Sequence, residues 1–122
     1  MSYKKKSRVI YIILGIFTLF TVMSLMQNDV SAHPPQSVTL SYDLETKVLA
    51  VTVTHKRFSG SHYINKVEIK KNNASVASHS YTNQPSETFT YTYQIDAVIG
   101  DVIEVKVTCS KFGSTSEKIT VD

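Results

Sequence analysis

From Ser37 onward, apolar and polar residues alternate almost without interruption. "SVTLSYD" sets Val38, Leu40 and Tyr42 against polar neighbours, and Asp43-Leu44-Glu45-Thr46 reads as a turn. "KVLAVTVTH" places Leu49, Val51, Val53 and His55 on one face. "HYINKVEIK" is expected to put Tyr63, Val67 and Ile69 on one side, with His62 and Ile64 on the other. Beyond a turn at Lys71-Asn72-Asn73, "ASVASHSYT" predicts a weak edge strand, and Gln84-Pro85-Ser86 breaks the pattern. "ETFTYTYQI" alternates Phe89, Tyr91 and Tyr93 with threonines; "VIEVKVTC", after a turn at Gly100-Asp101, aligns Ile103, Val105, Val107 and Cys109; "EKITV" closes the chain. A period of two is that of half-buried strands, and nothing in this region has helical periodicity. Seven short β-branched strands separated by turn signals predict an all-β fold, an immunoglobulin- or fibronectin-like antiparallel sandwich.

The first 32 residues follow a different pattern. "MSYKKKSR" carries four positive charges, and Val9 to Met26 then runs without a charge. This is the layout of a signal peptide ending at Val30-Ser31-Ala32, or of an uncleaved hydrophobic helix anchoring the chain in a membrane. Either way residues 33–122 are expected to form one domain outside the cytoplasm, with the basic cluster holding the N-terminus inside. The leader also accounts for the net charge of +3: residues 33–122 keep nine basic and nine acidic side chains. No basic stripe interleaved with aromatics remains, so a nucleic-acid partner is not expected.

The chemistry-bearing residues are few. Cys109 is the one cysteine, so it has no disulfide partner within an exported chain, where small domains are often stapled by cysteine pairs. A small hydrophobe ending an apolar strand face is the ordinary role for such a residue. His55 likewise closes an apolar face, and His62 follows across "KRFSGS", where Gly60 reads as the pivot. His33 precedes Pro34-Pro35, and His79 lies in an exposed serine-rich strand with no assigned role. Taken together, imidazoles and a thiol at the strand ends of one edge of a sandwich are the donors that soft and borderline transition metals prefer. A metal would also occupy the otherwise unpaired sulfur. Asn73-Ala74-Ser75 matches a glycosylation sequon on a turn.

"VTVTHKRFSGSHYINKVEI" and "VKVTCSKFGS" resemble the core motifs of the superoxide reductase family, the desulfoferrodoxin and neelaredoxin group. There a valine-rich strand leads into a histidine, a short loop and His-Tyr-Ile, and a later strand ends in Cys-x-x-His-Gly. "AHPP" stands about where that family places its first histidine. The resemblance implies an immunoglobulin-like sandwich holding non-haem iron (Fe2+), with His33, His55 and His62 as equatorial ligands and Cys109 as the axial one. It further implies reduction of superoxide to peroxide, fed by an electron donor. Lys56-Arg57 replace the family's Pro-Met, and Phe112 stands in place of its fourth histidine.

Two other functions compete with that expectation. Copper could bind at the free amine and imidazole of a mature N-terminal His33, completed by Cys109 and His55. Alternatively the sandwich is metal-free and serves as a cell-surface interaction module, with the Phe112 ring packed beside Cys109. No Ser-His-Asp arrangement, phosphate-binding glycine loop or carboxylate pair offers another enzymatic chemistry.

Overall fold

The computed structural model describes residues 33–122; the expected hydrophobic helix and the leader lie outside the described residues. The seven expected strands are all present: β1 (Ser37–Asp43), β2 (Val48–Thr54), β3 (Ile64–Lys71), β4 (Ala74–Ser80), β5 (Thr88–Gln94), β6 (Val102–Cys109) and β7 (Ser114–Thr120). They form two antiparallel sheets, one in the order β1-β2-β5 and the other β4-β3-β6-β7. The described residues therefore build an all-β sandwich of the expected class.

Alternation decides what is buried. Leu49, Val51 and Val53 on β2, Ile103, Val105 and Val107 on β6, and Val67 and Ile69 on β3 are all fully buried in one core cluster. Burying a side chain of this size stabilises the fold by about 1.5–3 kcal/mol relative to leaving it exposed. Both faces run on one step further: His55 continues the buried row of β2, and Cys109 ends that of β6.

Strand β3 departs from the expected phase. Ile64 is fully buried on the same side as Val67 and Ile69, three residues away, where strict alternation would point it outward. The cause is a bulge against β6: Ile64 pairs with Cys109, but Lys66 pairs with Thr108, which leaves Asn65 as an extra residue. One inserted residue reverses the facing of everything before it. Ile64 is thereby returned to the core opposite Cys109.

The end of the sandwich away from His55 and Cys109 is tied by polar contacts. The Tyr42 hydroxyl donates to the Ile95 carbonyl at 2.6 Å and accepts from the Ala97 N–H at 3.1 Å. Asp101 accepts from the Val98 N–H at 2.9 Å and from the Asn72 side-chain amide at 2.9 Å. These two bonds, the Val98 N–H first, hold the Asp101 carboxyl below the usual aspartate range. A depressed folded-state pKa contributes stability above the unfolded value and loses it as pH falls through the folded one. Asp101→Asn is therefore expected to narrow the stability gap between neutral and strongly acidic solution, measured by urea unfolding from pH 7 down to 2.

Candidate metal centre

His55, His62 and Cys109 come together at one end of the sandwich, with one ligand atom from each lying within 4.8 Å of the others. The fold explains the convergence. His55 is delivered by β2 of one sheet, while Cys109 ends β6 of the other. His62 sits just before β3, whose first residue is paired with Cys109. The Ser110 N–H donates to the Tyr63 carbonyl at 2.8 Å and the Ser110 hydroxyl accepts from the Tyr63 N–H at 3.1 Å, closing the seam beside the sulfur.

The loop between the histidines turns in two steps. Ser59 and His62 form an isolated antiparallel bridge, closing a tight turn. Arg57, not Gly60, takes the left-handed conformation, with φ of 58°. That backbone is uncommon for a residue with a Cβ and marks a local constraint. It presents the Arg57 carbonyl to Nδ1 of His62 at 3.1 Å. Gly60, read from sequence as the pivot, has no positive φ, and a Cβ placed there would meet nothing within 4 Å. Gly60→Ala is expected to leave the fold unharmed or stabilise it by about 0.4–1 kcal/mol, through a less flexible unfolded chain. Thermal unfolding measures the difference.

The orientation of both imidazoles follows from their partners. A carbonyl oxygen can only accept, so His62 carries its proton on Nδ1 and leaves the Nε2 lone pair free. His55 Nδ1 lies 2.8 Å from Oε1 of Gln84, a buried amide. That oxygen also accepts from the Ile64 N–H at 3.2 Å. The amide nitrogen of Gln84 donates to the His55 and Ser86 carbonyls at 2.8 and 2.7 Å. Exchanging oxygen and nitrogen would set the amide against one N–H and two carbonyls, so the assignment is forced. His55 too must therefore donate from Nδ1.

In the neutral rings both Nε2 atoms consequently carry the lone pair, and among the described residues both are buried without a hydrogen-bond partner. An unpaired buried acceptor costs about 1–3 kcal/mol. Here two occur together, on rings 4.7 Å apart at 83° to each other, beside a buried sulfur. A metal ion satisfies all three at once. Ligating histidines commonly use one nitrogen on the metal and donate the other N–H to an oxygen, which is the state found here. The residues present fit a metal.

His33, the remaining ligand expected from sequence, is exposed and stands outside the converging group. The segment after it is nevertheless held at the same end. Pro35 is buried and its carbonyl accepts from the Thr115 hydroxyl at 2.8 Å. A Cβ on Gly113 would lie 3.3 Å from the Cβ of Pro34, and φ of 76° at Gly113 adds a second reason for glycine there. Phe112 is 62% exposed, so its ring is not a buried plug over Cys109. His79 is exposed and lies against Tyr93, with ring centres 4.7 Å apart. Around the rim, Lys56, Arg57 and Lys111 are exposed, as is the acidic Glu87.

No protein-family model and no curated protein matches the sequence. Among solved structures, the chain is similar to a superoxide reductase from Nanoarchaeum equitans. The match covers 74% of this chain and 93% of that one, at 11% identity and a TM-score of 0.42. The likeness is distant.

Sequence pattern alone did not mark Gln84 or the Arg57 carbonyl as parts of the centre. Gln84 sits in a loop that reads only as a break, and nothing local shows that its amide reaches His55 and Ile64, 29 and 20 residues away.

Proposed function

We propose that residues 33–122 are a mononuclear metal-binding domain, with His55, His62 and Cys109 as ligands and non-haem iron as the metal. The observation that carries this reading is the pair of buried, partnerless Nε2 atoms beside the Cys109 sulfur. A metal-free interaction module leaves both without a purpose, and Phe112, which that alternative expects to pack beside Cys109, is exposed. Iron and reduction of superoxide to peroxide are inferred from the motifs around His55, His62 and Cys109. Bound iron would supply the electron, and an external donor would restore it.

The protein's own part is to hold two imidazoles and one thiolate at fixed angles and to keep their other faces hydrogen-bonded. The basic rim of Lys56, Arg57 and Lys111 favours the approach of an anion. His33 is the fourth ligand in this proposal: the Pro34-Pro35 tether keeps it beside the turn that follows Cys109. The leader places the domain outside the cytoplasm, released by cleavage or retained at the membrane.

Copper is the second reading, favoured by the donor count. Two histidines and one cysteine are the set of trigonal copper sites. Anaerobic competition between Fe(II) and Cu(I) for the metal-free protein separates the two. Superoxide should oxidise the Fe(II)-loaded protein without releasing dioxygen, and His33→Ala should weaken iron retention. Retention of copper alone, with no reaction toward superoxide, would move the assignment to copper.

A further inference from the structure

The two sheets contribute unequally to the centre: β2 leads into His55, whereas the loop entering β3 and the end of β6 bring His62 and Cys109. Something must set the distance between them when no metal does. Gln84 is placed to do this. It is buried at 6% exposure, in a loop between β4 and β5, and all four of its hydrogen bonds reach fixed groups. On one side it holds the carbonyl and Nδ1 of His55; on the other it takes the N–H of Ile64, the residue paired with Cys109.

We infer that Gln84 is the positioning residue of the centre: it locks His55 in the Nδ1–H tautomer and joins the two sheets at metal-binding distance before any metal arrives. The inference rests on the metal reading of the site and adds its preorganisation. Two features of the residue matter. Its oxygen is an obligate acceptor here, so Nε2 is left as the only free nitrogen of His55. Its amide is uncharged, so it fixes the ring without the increase in ligand basicity that a carboxylate partner confers. A neutral partner suits a site in which a thiolate already supplies negative charge to the metal.

The test uses the full chain in detergent micelles. Nitrogen-15 NMR at about pH 8, where ordinary imidazoles are neutral, reads the His55 tautomer in metal-free protein. Titration with Co2+, followed through the cobalt–thiolate absorption, reads affinity. Gln84→Met keeps length and apolar bulk but loses every hydrogen bond. It is expected to give a mixture of tautomers and an affinity about 10–100-fold weaker. Gln84→Glu keeps the acceptor for His55 Nδ1 and the Ile64 N–H and loses at least one of the two donor bonds, which go to the His55 and Ser86 carbonyls. It is expected to restore both the tautomer and the affinity.

If Gln84 merely staples a loop, Gln84→Glu will be as poor as Gln84→Met, and the inference falls. An unchanged tautomer in Gln84→Met overturns it as well. Should Gln84→Met fail to fold, Gln84→Glu decides alone, because loss of the Nδ1–H tautomer there contradicts the positioning role. Wild-type protein that binds no Co2+ would remove the metal reading and with it the claimed effect on affinity. The tautomer comparison would still show whether Gln84 orients the ring, so the two failures are distinguishable.

Discussion

Metal saturating the centre at a thousandfold excess over its Kd is expected to raise the unfolding midpoint of residues 33–122 by roughly 15–30 °C. A ligand that binds only the folded state at that excess stabilises it by about 4 kcal/mol. Each kcal/mol shifts the midpoint of a domain of this size by about 4–8 °C. The ligands come from two sheets, so the metal closes a gap that unfolding must open. Cys109→Ser should abolish most of the shift, measured against that variant's own metal-free midpoint, because the substitution places a hydroxyl where the buried thiol stood. Differential scanning calorimetry of both proteins, with and without Fe(II) under anaerobic conditions, checks the prediction. An equal shift in Cys109→Ser would place the metal elsewhere.

The second large effect concerns Ile64. It is fully buried and paired with Cys109, and the Asn65 bulge places it in the core. Ile64→Ala removes three carbon atoms from a closed core and is expected to destabilise the domain by about 2–5 kcal/mol. Because the cavity opens beside Cys109, metal affinity should fall as well. Val105→Ala, on the same strand as Cys109 but four residues away, should cost stability with little change in affinity. Urea unfolding of metal-free protein and Co2+ titration, run on both variants, separate packing from ligand placement. Equal affinity losses would show that the core transmits damage generally and that Ile64 has no special relation to the site.

Much of this was legible in the chain because strand periodicity is a local property. The rows Leu49-Val51-Val53-His55 and Ile103-Val105-Val107-Cys109 show which side chains share a face, and both are buried as expected. His55 and Cys109, the last members of those rows, meet at one end of the sandwich. The phase of β3 was not legible, since a bulge depends on what β6 offers across the sheet. The same holds for Arg57: its left-handed backbone accompanies a hydrogen bond that its carbonyl accepts from His62, whereas glycine is what composition suggests. Gln84 is the clearest case, because an amide becomes part of a metal centre only through distant contacts. His33 shows the reverse: its motif is readable, yet it stands exposed outside the converged group.

The most direct test of the metal centre is metal content together with the optical spectrum of the full chain, loaded anaerobically with Fe(II) or Cu(I). One equivalent of retained metal is expected, with a sulfur-to-metal charge-transfer band in the oxidised protein. That band should vanish in Cys109→Ser, and His55→Ala should lose the metal. Protein that retains no metal from either ion, with the Cys109 thiol unreactive until the domain unfolds, would contradict the assignment and leave His55 and His62 as ordinary residues flanking a turn.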